Sequence, residues 1–276
     1  MYLWRKRATT EWLRNRNEDL GERFGGKLAI IELPGKARSL VEIASTKKQA
    51  ENLVREFGGS IEKLRADWLR QFARKSRAKP LRVGSRLVVS RSAESKFNGA
   101  RTIVIPAEAA FGTGDHATTA MSLRILECVT RKRAGDWSML DAGTGSGILA
   151  IAGSRFGAKR IVAIDNDPIA SSTAQRNARI NRTRNIDFRT GDVLKQKIGG
   201  KFEIITANLF SEILVAALPI WSRHLASNGR LILSGVLRSQ ERTLVGALER
   251  NDFRAEAIKR RGRWLAILAS RTRKRS

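Results

Sequence analysis

The sequence predicts an α/β protein in two parts: a mostly parallel sheet, helix-covered on both faces and ended by an antiparallel hairpin, preceded by a small α+β module. Three observations predict it. From about residue 97 the chain alternates strand, glycine-rich turn and helix; its strands are nearly continuous apolar runs; and before residue 65 the elements follow the order βαββαβ. Apolar strands alternating with helices are what a parallel sheet buried on both faces requires. At 276 residues the chain is long enough for one large domain or two unequal ones. Its 42% hydrophobic content supports a real core despite a formal net charge of +27.

The first module opens with the apolar run Tyr2–Trp4 and a helical stretch near residues 9–24. Strand-like runs Lys27–Leu33 and Arg38–Ala44 flank a Pro34-Gly35 turn, and a Ser45/Thr46 cap opens a helix to Phe57. Gly58-Gly59 stops that helix ahead of a strand Ser60–Leu64. Residues 1–64 therefore read as a split-βαβ, ferredoxin-like module. Residues 65–96 read as a basic linker containing a helix around Trp68–Arg74 and one short strand within Leu81–Ser90. In the second domain, residues 97–276, strands are expected at Ser138–Asp141, Arg160–Asp165, Ile186–Thr190, Phe202–Ala207 and Arg230–Ser234. Helices are expected at Ile148–Phe156, Pro168–Asn181, Ser211–Leu225 and Ser239–Arg250. The tight Arg261-Gly262 turn joins Phe253–Lys259 to Arg263–Ser270 as the closing hairpin.

Composition excludes several function classes. No stretch approaches the roughly 18 apolar residues of a spanning helix, and the N-terminal residues resemble neither a signal nor a transit peptide. A cytoplasmic location is expected. The single cysteine, Cys128, excludes an internal disulfide and a thiolate metal cluster, and no metal site is expected. The charge is spread along both halves, which favours polyanionic neighbours and says nothing about fold.

The chemistry-bearing motif is Asp141-Ala-Gly143-Thr-Gly145-Ser-Gly147, between a strand and a helix. Glycines let the backbone turn sharply and approach a ligand without Cβ atoms in the way. A dinucleotide fingerprint would place the third glycine at position 148; here it stands at 147. Asp165 ends the next strand, 22 residues after Gly143, where a carboxylate can accept both hydroxyls of a ribose. Asp167 suits the helix cap better, since Pro168 then takes the first helical position. Asp192 follows the third strand, where it can accept an exocyclic amine or simply close a turn. Asn208 and Leu209, in Ala207-Asn208-Leu209-Phe210 after the fourth strand, are the candidate catalytic pair. An amide oxygen and nearby backbone carbonyls can hold the hydrogens of an amine and aim its lone pair, while a helix cap is the plainer role for Asn208. A glycine-rich loop, Phe111-Gly-Thr113-Gly114-Asp-His116, leads into a helix with Thr118 or Thr119 as its cap.

Together these motifs resemble the PrmA-type methyltransferases, which modify lysine and N-terminal amines of large-subunit ribosomal protein eleven. The resemblance rests on Phe-Gly-Thr-Gly-x-His-x-Thr-Thr, Asp-x-Gly-x-Gly-Ser-Gly-Ile-Leu-Ala-Ile-Ala, Asp-x-Asp-Pro and Ala-Asn-Leu, spanning about residues 97–270. It implies a class I, Rossmann-like fold and S-adenosylmethionine as cofactor. Phe111, Thr113, Gly114, Asp141, Gly143, Gly145, Asp165, Asp192 and Asn208 would then form the cofactor site, with Asn208 beside the target amine. The N-terminal module would recognise the ribosomal protein. The chain departs from the family at Ala107-Glu108, where Pro-Gly is usual, at Ala117 in place of Pro, and at Phe210 in place of a small aliphatic residue. Those departures bear on the substrate more than on the reaction. The competing readings are an RNA base-amine methyltransferase, a lysine methyltransferase of another protein such as an electron-transfer flavoprotein subunit, and a non-catalytic ribosome- or RNA-binding protein. For a basic ribosomal substrate, where like charges repel, the positive surface would serve RNA near the target or reflect a lineage-wide bias toward arginine.

Overall fold

The computed structural model describes residues 2–24, 28–31, 38–63, 80–91, 101–106, 116–133 and 135–272. The chain divides into two units, Met1–Arg77 and Ala78–Ser276.

In the first unit the elements are β1 (Tyr2–Thr9), α1 (Thr10–Arg14), α2 (Asn17–Phe24), β2 (Leu28–Ile31), β3 (Arg38–Ser45), α3 (Lys47–Phe57) and β4 (Ser60–Lys63). The sheet order β2-β3-β1-β4 is antiparallel throughout, the ferredoxin-like arrangement. The single helical stretch expected near 9–24 is two helices, the first capped by the Thr9 hydroxyl, which accepts the Trp12 N–H at 3.2 Å. Thr46 and Gln49 form a reciprocal capping box at the start of α3. Gly58 and Gly59 end α3 with positive φ, and a Cβ at Gly59 would run into the Arg5 carbonyl. Trp4, Leu20, Val41, Ile43 and Leu53 fill the core, and the Trp4 indole donates to the Gly58 carbonyl at 2.8 Å.

The second unit contains β5 (Leu81–Val83), β6 (Leu87–Ser90), β7 (Arg101–Val104), α4 (Ala117–Thr130), β8 (Ser138–Ala142), α5 (Ile148–Arg155), β9 (Arg160–Asp165), α6 (Pro168–Ile180) and β10 (Ile186–Thr190). It continues with β11 (Phe202–Asn208), α7 (Ser211–His224), β12 (Leu225–Leu237), α8 (Glu241–Arg250), β13 (Phe253–Arg261) and β14 (Trp264–Arg271). The main sheet runs β10-β9-β8-β11-β12-β14-β13. Its first five strands pair in parallel, and β14 and β13 add the antiparallel hairpin. Both faces are buried because successive side chains point to opposite sides. Met139, Ile161 and Ile204 enter one core with α4 and α5, while Leu140, Val162 and Ile205 enter the other with α7 and α8.

Two stretches differ from the sequence expectation. Residues 81–90, expected as linker with one strand, are an antiparallel hairpin whose second strand pairs in parallel with β7. Val83, Leu87 and Val89 are buried with the second unit's core, so the segment belongs to that unit; β7 itself was not anticipated. The hairpin is clamped to α4 by Glu127, 3% exposed, which takes Arg86 at 3.1 Å and Arg131 at 2.8 Å. Gly84 turns with positive φ where a Cβ would strike that carboxylate. The expected N-cap of α4 also moves: His116 holds the cap position, and Thr118 and Thr119 lie buried within the helix. Among the described residues no helix is long and apolar enough to cross a membrane.

Burial alone would raise the Glu127 pKa, but hydrogen bonds from Arg131 and Arg86 outweigh it and hold the carboxyl below its usual value. Replacing Glu127 by Gln breaks the clamp while its two arginines stay partly hydrated. Urea unfolding of the Glu127→Gln protein is expected to show a loss of about 1–3 kcal/mol.

Candidate active site

The site grows from the order of strands. From β8 the chain moves outward through β9 and β10, then returns to pair β11 on the other side of β8. That reversal opens a crevice outside the carboxyl ends of β8 and β11, the place where open α/β sheets bind ligands. Gly143 follows β8, Asp165 ends β9, Asp192 follows β10 and Asn208 ends β11. Four of the sequence motifs therefore meet along one edge.

The turn after β8 is built by its glycines. Gly143, Gly145 and Gly147 all have positive φ, at 73°, 53° and 78°, a region that other residues enter at a cost. Close approach fixes two of them further. A Cβ on Gly143 would overlap the Leu209 side chain, and one on Gly147 would lie 3.0 Å from the Ala174 Cβ of α6. The Gly143 and Thr144 N–H groups both donate to the Ile164 carbonyl, at 2.8 and 3.0 Å. Asn177 of α6 ties the far side through its amide to the Ser146 carbonyl at 2.9 Å.

Asp141 lies beneath the turn and is only 1% exposed. Its two oxygens accept the Thr144 hydroxyl at 2.7 Å and the Thr206 hydroxyl at 2.6 Å. Burial pushes its pKa up from 3.8 to about 6, against the two hydroxyls and the Ala150 N–H, which favour the charged form. The carboxylate thus acts on the loop from below. Thr206 was not anticipated: it is the register partner of Asp141, a relation that appears only once β11 lies beside β8.

Asp165 is 9% exposed, and its oxygens accept the Gly145 N–H at 2.8 Å and the Asp167 N–H at 3.0 Å. A carboxylate offers about four acceptor positions, so hydroxyl donors can still be received. Asp167 caps α6 through the Ile169 N–H at 2.8 Å, with Pro168 in the first turn, as its position suggested. Asp192 accepts the Leu194 N–H at 2.9 Å and lies 3.8 Å from the Lys195 ammonium, the geometry of an Asx turn.

Asn208 is not a helix cap; Phe210 holds that position for α7. Its Nδ2 donates weakly to the buried Thr119 hydroxyl at 3.4 Å, and its Oδ1 is buried without a hydrogen-bond partner among the described residues. An acceptor left unmet in a crevice is a cost that a ligand N–H would remove. Leu209 is pinned behind it: its N–H donates to the Ser234 carbonyl at 3.0 Å, and its backbone lies where a Cβ on Gly235 would go. Phe210 projects beside this pair, 73% exposed. His116 Nδ1 and the Thr118 hydroxyl share a hydrogen bond at 2.7 Å, and the ring meets Trp264 edge to face at 4.9 Å. Burial, then the nearby Arg263, lowers its pKa and favours the neutral ring. Phe111, Thr113 and Gly114 lie outside the described residues.

The chain is similar to known proteins along most of its length. The family described as "Ribosomal protein L11 methyltransferase (PrmA)" matches residues 7–272. A protein of that name from Heliobacterium modesticaldum is 36% identical over 208 residues, covering 74% of this chain and 64% of its own length. One from Clostridium perfringens is 30% identical over 256 residues, covering 88% of this chain and 80% of its own. The crystal structure of a ribosomal protein L11 methylase from Lactobacillus delbrueckii subsp. bulgaricus superposes with a TM-score of 0.64 at 30% identity, over 70% of this chain and 99% of that one.

The raised Asp141 pKa has a stability consequence. The folded state holds a proton between about pH 4 and pH 6 that the unfolded chain has released, so this group's contribution falls as pH rises through that window. The expected loss is about 3 kcal/mol. Asp141→Asn cannot titrate, so stability curves of the two proteins should differ in slope between those pH values and run parallel above pH 7. Parallel curves throughout would contradict a carboxyl perturbed by burial.

Proposed function

The chain belongs to the ribosomal protein L11 methyltransferase (PrmA) family, and on that premise we propose how its residues divide the work. It is an S-adenosylmethionine-dependent methyltransferase, and its substrate is ribosomal protein L11, modified at lysine and N-terminal amines in the cytoplasm. The first unit recognises that protein. The observation that carries the assignment of roles is the unpartnered Asn208 Oδ1 next to the glycine turn.

The residues fit the cofactor. Gly143 and Gly145 hold the turn at positive φ, and Asp165 keeps acceptor positions for a ribose diol. Asp192 stands one strand further along for the adenine amine, and the family resemblance adds Phe111, Thr113 and Gly114 to the residues that would bind the cofactor. When bound, S-adenosylmethionine supplies an electrophilic methyl group on a sulfonium. The protein's task is then to position a neutral amine. Asn208 Oδ1 accepts an amine N–H, the Thr119 hydroxyl fixes the amide, and the Leu209 main chain lies alongside. A lysine ammonium has a pKa of about 10.4, so a proton must leave to solvent before attack, aided by desolvation in the crevice. Orientation of this kind is worth several kcal/mol, up to roughly 7–11. Phe210 offers an apolar surface at the entrance on which the methylene chain of the incoming lysine can lie.

Labelled methyl transfer to purified L11 protein tests the assignment. Asp165→Ala is expected to weaken S-adenosylmethionine binding about 10–100-fold. Asn208→Ala should lower kcat by roughly 100-fold while cofactor affinity changes far less. Label entering RNA but not the protein would overturn the substrate, and full activity in Asn208→Ala would overturn its role. For Phe210→Ala the expectation is a higher KM for the protein substrate, about 3–10-fold, with the cofactor KM unmoved.

A further inference from the structure

The sheet edge opposite the crevice carries chemistry that methyl transfer does not use. The beginnings of β11, β12 and β13 and the end of β14 meet there around a cleft of about 680 Å³. The ladder beside it is irregular: Phe202 pairs with Leu225 but Ile204 pairs with Arg230, so the register shifts at the start of β12. Lys201, Arg230, Arg254 and Arg271 converge on the cleft, with Glu256 as the acidic residue lining it and Asn228 as a neutral donor.

Two of the cations are fixed in place. Arg230 is held by Glu256 at 2.9 Å and by the Asn228 and Gly229 carbonyls at 3.1 and 3.2 Å, and Arg271 by the Ser222 and Leu225 carbonyls. Lys201 is exposed, and Arg254, 61% exposed, is 3.9 Å from Glu256. No aromatic ring lines the cleft among the described residues. Fixed guanidiniums, exposed cations and neutral donors suit phosphates, which position a nucleic acid without reading its sequence. The seven residues of β11 separate this cleft from Asn208 by about 20 Å. A nucleic acid held here is therefore a docking partner, apart from the acceptor of the methyl group.

We propose that this cleft docks the phosphodiester backbone of structured RNA, independent of base sequence, and holds the enzyme to ribonucleoprotein while the opposite edge carries out its chemistry. The proposal is tested by binding alone. A fluorescently labelled RNA duplex of about 16 base pairs is titrated with the full chain by anisotropy. Salt is varied between about 50 and 200 mM. Lys201→Glu combined with Arg254→Glu is expected to weaken binding tenfold or more and to flatten the salt dependence by about two phosphate contacts. Its thermal shift on adding S-adenosylmethionine should remain, showing that the second unit is folded. Should that shift be lost, Arg254→Gln alone carries the test, with an expected drop of about threefold. A chain ending at Thr272 should keep most of the affinity. Unchanged binding by the variants, loss confined to the shortened chain, or tighter binding of polyglutamate than of the duplex would each overturn the proposal, the last in favour of an acidic protein partner.

Discussion

The site depends on one buried carboxylate. Asp141 cannot reach water, so its charge must be met inside the protein, and the Thr144 and Thr206 hydroxyls meet it. Those two donors lie on different elements, the glycine turn and β11. Satisfying the carboxylate therefore fixes the turn against the neighbouring strand, and the positions of Gly143 and Asn208 follow. The cost of burial remains visible in a pKa pushed up to about 6. Loss of either hydroxyl would leave a buried acceptor unmet, which is worth more than the hydrogen bond itself.

The crevice is shaped as much by missing atoms as by present ones. Leu209 occupies the volume that a Cβ on Gly143 would take, and its backbone occupies the volume above Gly235. The loop after β11 is thus wedged between the first glycine of the turn and a glycine of β12. This packing explains how a short loop holds Asn208 with its amide oxygen unsatisfied. The surrounding sheet supplies the rigidity, since alternate residues of β8, β9 and β11 anchor two separate cores.

Charge plays a different part. Pairs such as Arg23 with Glu56, or Arg260 with Glu241, lie at the surface and contribute little to stability. With 53 basic against 26 acidic residues, cations outnumber acids about two to one. Their placement matters more than their number. At the cleft below β11 and β12 they are ordered by backbone carbonyls, which a merely solvated surface would not require.

Local pattern carried much of this protein. The strands Arg160–Asp165 and Ile186–Thr190, the caps at Thr46 and Asp167, the glycine turn and the closing hairpin were all legible, because each depends on neighbours in sequence. Gly143, Asp165 and Asn208 were legible as motifs for the same reason. Tertiary structure decided what distant residues do to one another. The hairpin at residues 81–90 looked like linker because its strands are short and follow a basic stretch, and only packing against the second core draws it in. Thr206 was silent in sequence, since its partner Asp141 lies 65 residues away. By sequence Asn208 could also serve as a cap, the lesser of its two readings, but Phe210 takes that position. Sequence determines backbone preference and apolar period; which groups share a buried, low-dielectric space is set by strand order, and strand order is not a local property.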